Sequence, residues 1–270
     1  MAISINWPDS PTEGETHTEN GSTWVWRTNR WVVFGSGSST VLKNPTQTIY
    51  DTAGSGTYVP PVGCTAIDVM VLGGGGGGGN SDGQGQNSAA AGGSGGGGAS
   101  ALKRIANPAA SYSYTVGALG AGGSSAGTAG SAGGDSLFSD GGSIALVGTG
   151  GLGGVGDTGS VSSGTWTHGV AAVLATGGDI NIPGQSTATT PMGDFNTDIF
   201  RAYSYPRGGD SPYGVGGATL GTSGDQDGVD GAGHGSGGSG GVSVETTANS
   251  VGGDGTPGLI IIKEYYGVEA

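Results

Sequence analysis

Apolar positions cluster in a few short runs, separated by long polar and glycine-rich stretches. Ala66-Ile67-Asp68-Val69-Met70-Val71-Leu72 and Leu259-Ile260-Ile261-Ile262 are the strongest of these runs. Tyr112-Ser113-Tyr114-Thr115-Val116 and Ser143-Ile144-Ala145-Leu146-Val147 are two more. All four have strand length and are rich in β-branched or aromatic residues, so the pattern predicts β-strands. Two such strong strands near opposite ends of a long segment predict a sheet that ties those ends together, with the intervening chain looped out. Near the N-terminus, Trp24 and Trp26, then Val32 and Phe34, alternate with other residues around Thr28-Asn29. That alternation predicts a small hairpin, and Ser10–Glu15 and Asn20-Gly21 upstream of it carry turn signals.

Composition divides the same chain into three zones. Residues 1–35 are glycine-poor and hold four of the five tryptophans. Some 30 residues cannot readily build a core of their own. Trp7, Trp24, Trp26, Trp31 and Phe34 are therefore expected to pack against a copy of the module or a partner, which makes them attachment or oligomerisation candidates. Residues 36–63 read as a linker followed by a strand leading into the third zone, through Gln47–Asp51 and Gly54–Val59. Residues 64–270 hold most of the 65 glycines, in runs such as Gly73–Gly79 and Gly95–Gly98. Gly-Gly-Asp recurs there, starting at Gly133, Gly177, Gly208 and Gly252. The unequal spacing argues for straight segments joined by loops of free length, not for identical solenoid units.

Glycine in this quantity means either disorder or the packing of backbone against backbone. Polyproline II geometry gives three residues per turn and roughly 3.1 Å per residue, with no internal hydrogen bonds. Glycine chains in that form can lie side by side and bond to each other. Net gain per hydrogen bond, about 0.5–1.5 kcal/mol, is close to the backbone ordering cost of about 1–2 kcal/mol per residue. Such a lattice therefore has to be dense and anchored at its base, which the flanking apolar strands can do. Collagen is excluded, because glycine does not fall at every third place and only 11 prolines occur. The expected fold is mainly β and irregular: an N-terminal β-hairpin module, then a C-terminal sheet base carrying packed polyglycine II helices and loops.

Charge narrows the partners. A net charge of −13 with eight Lys and Arg argues against nucleic acid, and Arg207-Gly208-Gly209 is a lone triplet. Cys64 is the only cysteine, so no disulfide framework or thiolate metal site is expected. Met1–Pro8 lacks a basic region followed by an apolar stretch, so no signal peptide is expected. Nor does any segment reach the ~20 apolar residues of a membrane span.

Val69–Leu72 running into Gly73–Gly79, then Tyr114–Gly117, the Gly-Gly-Asp units and Pro257–Ile262 together resemble the glycine-rich domains of bacteriophage fibres. The tip adhesins of T-even-like long tail fibres have a related arrangement. Trp7–Glu15 with Asn20–Trp26 and Trp31 resembles a short module found in phage appendage proteins. The two resemblances cover most of the chain. They imply a polyglycine II sandwich whose intervening loops touch the host receptor, on a virion appendage made in the host cytoplasm. Implied partners are other virion proteins through the N-terminal module and a bacterial surface receptor, glycan or outer-membrane protein. A homo-oligomer is implied as well, a trimer being the commonest arrangement for such fibres. The chain departs from the tip adhesins in its N-terminal region. A capsid decoration or head-fibre role without a dedicated receptor is the alternative.

The side-chain chemistry fits a binding protein better than an enzyme. His17, His168 and His234 are scattered, with no metal-ligand spacing, and no nucleophile elbow occurs; neither catalytic residues nor a cofactor are expected. Asp225, Asp227 and Asp230 partly echo a calcium loop but lack its third alternating ligand and closing Glu; solvated loop acids are the plainer reading. Trp166, His168, Phe195, Phe200, Tyr203, Tyr205 and Tyr213 gather aromatic character in one stretch with Arg201 and Arg207. Binding surfaces are enriched in such side chains, which makes the first seven receptor-binding candidates; internal packing is the competing role.

Overall fold

A computed structural model describes residues 8–19, 22–34, 43–82, 89–157, 169–187, 206–218, 225–244 and 248–266. Every regular element among them is a strand. The chain forms two units, Met1–Asn44 with Tyr266–Ala270, and Pro45–Tyr265.

The first unit is a three-stranded antiparallel meander of β1 (Thr16–Glu19), β2 (Ser22–Arg27) and β3 (Arg30–Phe34). Thr28 and Asn29 have φ of 43° and 61°, the left-handed pair of a two-residue hairpin turn whose twist suits the flanking strands. That turn sets Trp26 opposite Trp31 and Trp24 opposite Val33. Strand β1 lies between the two turn signals, where the sequence predicts no strand, and it adds His17 opposite Trp24. Val25, on the other face, is buried.

The second unit starts as a β-sandwich. Its strands are β4 (Thr46–Tyr50), β5 (Gly54–Tyr58), β6 (Cys64–Leu72), β7 (Ala89–Ala91), β8 (Ser100–Ala106), β9 (Tyr112–Val116), β10 (Ser136–Ser139), β11 (Ala145–Gly148), β12 (Ile180–Ile182), β13 (Tyr213–Val215), β14 (Ala232–His234), β15 (Val242–Val244) and β16 (Leu259–Tyr266). A five-stranded sheet, β12-β8-β6-β16-β4, faces a four-stranded one, β11-β10-β9-β5. Alternate residues of β6 and β16, namely Ile67, Val69, Val71, Ile260 and Ile262, meet Tyr58, Tyr112, Val116, Phe138 and Leu146 from the other sheet. The sequence expectation that the two strong strands tie the ends together is met, since β6 and β16 are neighbours in the sheet. Segments 47–51 and 54–59 do not make one lead-in strand: β4 joins one sheet and β5 the other. Glu264 links them, accepting hydrogen bonds from Thr46, from Thr48 at 2.9 Å and from Tyr58 at 3.2 Å.

Beyond Leu72 the chain enters the glycine lattice. The N–H groups of Gly73, Gly76 and Gly79 donate to Ala99, Gly96 and Gly93. Those of Gly74, Gly77 and Asn80 donate to Gly134, Ser131 and Thr128, and those of Gly75, Gly78 and Ser81 to Thr256, Gly253 and Ser250. The acceptor segment changes at each residue and returns at every third, the mark of a helix with three residues per turn. Carbonyls of the same segment accept from three further neighbours: Gly74 and Gly77 from Gly151 and Gly154, Gly75 and Gly78 from Gly120 and Gly123, Gly76 and Gly79 from Gly238 and Gly241. Partner numbers fall along the first three neighbours and rise along the last three, so three run antiparallel to the central segment and three parallel.

The six neighbours also close a ring. Gly93 donates to Val155, Gly130 to Gly154, Ser131 to Ala121, Gly252 to Gly123, Gly253 to Ser239 and Gly95 to Gly238. Up and down segments alternate around the ring, which is hexagonal packing about Gly73–Asp82. A Cβ on any of Gly73–Gly79 would sit 1.9–2.3 Å from a neighbouring backbone atom, inside any allowed contact. Glycine is required here by close approach.

Three of the Gly-Gly-Asp units fasten the edges of this lattice, and the one at Gly177 fastens the edge of the sandwich at β8. Asp135 accepts the Gly150 N–H at 2.8 Å, Asp210 that of Gly216 at 2.8 Å and Asp254 that of Gly122 at 2.7 Å. Asp179 accepts the Arg104 N–H at 3.1 Å. In each unit two glycines permit close packing, and the carboxylate then satisfies an N–H on an adjacent segment.

Candidate functional site

The lattice has two different ends. At the Leu72 end its segments run into the sandwich strands. At the other end they stop together: Asp82 donates to Asp157, Ser81 to Ser250 and Asn80 to Thr128. This end is sealed by buried polar side chains. Ser81 Oγ lies 2.9 Å from Ser243 Oγ, Ser243 donates to Ser250, and Asp157 accepts the Ala91 N–H at 3.1 Å. Asn80, Ser81, Asp157, Ser243 and Ser250 are all buried.

Some connections between lattice segments run through sandwich strands, as β10 and β11 do, and two long ones start and finish towards the remote end. One leaves after Asp157 and resumes before Val170, whose N–H donates to Thr187 Oγ1. Thr187 Oγ1 also donates to the Ser94 carbonyl, towards the same end. The next connection therefore leaves from there as well, and the chain returns to place Gly209 N–H on the Gly95 carbonyl. Trp166 and His168 belong to the first connection, and Phe195, Phe200, Tyr203 and Tyr205 to the second; all six lie outside the described residues. Tyr213, the seventh receptor-binding candidate, is elsewhere. It begins β13, pairs with His234 and is 47% exposed beside the sandwich.

The tryptophan module forms one aromatic face. Trp26 and Trp31 meet edge-on with centroids 5.4 Å apart, and His17 lies 6.3 Å from Trp24 and 5.9 Å from Trp31. The three indoles are half-buried within their own unit. Trp7 and the Phe34 side chain lie outside the described residues.

Of the acidic loop candidates, Asp227 accepts the Val251 N–H at 3.0 Å and Asp230 the Asp254 N–H at 2.7 Å. These carboxylates fasten segment 225–231 to segment 250–256. Asp225 is exposed. Among the described residues no three His, Cys, Asp or Glu side chains are grouped as a metal site. Two aspartates are held below the usual carboxylate range. Asp140 accepts from the Gly142 and Ile144 amides, while Asp179 accepts first from Lys103 and then from the Arg104 amide.

The comparison with known families agrees with this architecture. The family described as "Glycine-rich domain" matches residues 51–265, the span from the sandwich through the lattice and back, and the chain belongs to that family. No curated protein sequence matches it.

Proposed function

We propose that the protein is a bacteriophage virion appendage, a tail-fibre or tail-tip component, whose glycine lattice holds up loops that bind a receptor on the host surface. The observation that carries this reading is the two-ended build. The chain enters and leaves the second unit on sandwich strands β4 and β16, whereas connections 158–168 and 188–205 are anchored at the opposite end. Those two connections contain six of the seven receptor-binding candidates. Backbone-to-backbone packing leaves the lattice few ways to rearrange, so the loop anchors are held in place ahead of binding, which lowers the ordering cost of contact. The N-terminal aromatic face attaches the protein to other virion proteins or to copies of itself. Several copies on one particle would turn weak single contacts into firm adsorption through high effective concentration.

The test uses the purified full chain and variants in which 158–168 or 188–205 is replaced by a short Gly-Ser linker. Binding to a panel of bacterial strains is expected for the parent and lost in at least one replacement, with thermal unfolding unchanged. Undiminished binding in both replacements, or no binding by the parent while particles lacking the protein lose capsid stability, would favour the capsid-decoration role instead.

A further inference from the structure

On the five-stranded sheet, the face turned away from the core is polar in one part, where Asp68, Arg104 and Lys263 lie, and apolar in the next. Met70, Leu102 and Ile261 form an apolar floor there. Ile180 and Ile49, in register with Leu102 and Ile261, are 59% and 51% exposed. An antiparallel sheet facing water ordinarily alternates to polar residues on that side. With Tyr213 as a side wall, the floor encloses a depression of about 360 Å3, at the small end of ligand and peptide pockets.

Charge and size together specify the occupant. Asp68 is engaged, 3.3 Å from Arg104 and accepting from the Tyr265 hydroxyl at 2.7 Å. Lys263 lies 5.3 Å from the Tyr265 ring centroid and has no carboxylate within ion-pair distance among the described residues. It is a cation at the rim of an apolar hollow, on a chain of net charge −13. Five strands at ~4.8 Å spacing and about four residues at ~3.3 Å give a face of roughly 300 Å2. A stable dimer needs about 800 Å2 from each partner, so this face is too small to hold a second copy by itself.

We infer that this hollow is a docking site for a short extended segment of a partner protein, which seats an apolar side chain on Met70, Leu102 and Ile261 and sets a carboxylate against Lys263. Ile261 and Lys263 are two residues apart on one face of β16, about 7 Å. The matching ligand pattern is therefore an apolar residue followed two positions later by Asp or Glu. The hollow lies on the sandwich, away from the loop-bearing end of the lattice, so the inference stands apart from the receptor reading.

The test is titration of the 15N-labelled full chain with two capped pentapeptides, one containing Leu-Ser-Glu and the other Leu-Ser-Lys, up to about 1 mM, the weak end of specific binding. The acidic peptide is expected to shift the amides of Met70, Leu102 and Ile261 and to bind about fivefold more tightly, the most an exposed ion pair supplies. Lys263→Glu should reverse the preference, and Ile180→Ser, at an exposed position, should weaken both peptides without unfolding the chain. Equal affinity for the two peptides, or no shift at the hollow, overturns the inference. So does a sedimenting dimer that Ile180→Ser dissolves, since that would assign the face to a second copy.

Discussion

At Gly78 an added methyl would lie 2.0 Å from the Ser239 carbonyl oxygen, with that backbone held on both sides. Gly78→Ala is expected to cost about 3 kcal/mol, the upper range of overpacking, read as a shift of the denaturation midpoint. Gly142→Ala meets nothing closer than an Asp140 oxygen at 3.5 Å and should stay within about 0.5 kcal/mol of the parent. The Gly-Gly-Asp aspartates allow a second comparison. Asp254→Ala leaves the Gly122 amide without its acceptor and should cost about 1–3 kcal/mol, whereas Asp254→Asn keeps a side-chain oxygen and should recover most of that. Acid sensitivity belongs to this scale too. Asp140 and Asp179 have lowered folded pKa values, so their stabilisation is full above the unfolded carboxylate range near ~4 and is lost as pH falls through the folded values. Equilibrium unfolding should be nearly flat in pH down to about 5 and fall below about 4, less steeply in Asp140→Asn. The sequence showed the Gly-Gly-Asp units as a repeat, but not the use of their carboxylates, because no fixed spacing links each aspartate to its N–H donor: Gly216 is six residues from Asp210, whereas Gly122 is 132 from Asp254.

Strands with a strong apolar or aromatic signal were readable; strands defined by their neighbours were not. Strands β6, β9 and β16 follow from runs of Ile, Val, Leu and Tyr. Strand β8, Ser-Ala-Leu-Lys-Arg-Ile-Ala, pairs with β6 over its full length yet carries two charges and few β-branched residues. It is a strand because β6 offers it an edge. Strand β1 arises the same way, beside a hairpin whose own turn was legible at Thr28-Asn29. At this scale Glu264 is the residue that couples elements, joining β4, β16 and β5 through three hydroxyl donors. Glu264→Gln keeps one oxygen but places an amide donor among those hydroxyls; a loss of about 1–2 kcal/mol is expected, with faster amide exchange in β4.

For the whole molecule, apolar composition alone gives a misleadingly low account of the core. The sandwich is a small conventional core, and the rest of the second unit is held by a hexagonal set of backbone hydrogen bonds in which glycine replaces side-chain packing. The sequence made an ordered lattice plausible, since strong strands bracket the glycine runs. It did not reveal that Gly73–Asp82 is the central member or which six segments surround it, because a glycine carries no side chain to specify its neighbour. That choice is made by strand order in the sandwich and by connection length. The central claim is that Gly73–Gly79 is the enclosed axis of a folded lattice. Native-state hydrogen exchange of those seven amides tests it most directly. They are expected to exchange only through global unfolding, as slowly as Val69 and Val71 in β6; exchange at the rate of an unstructured glycine chain would contradict the account.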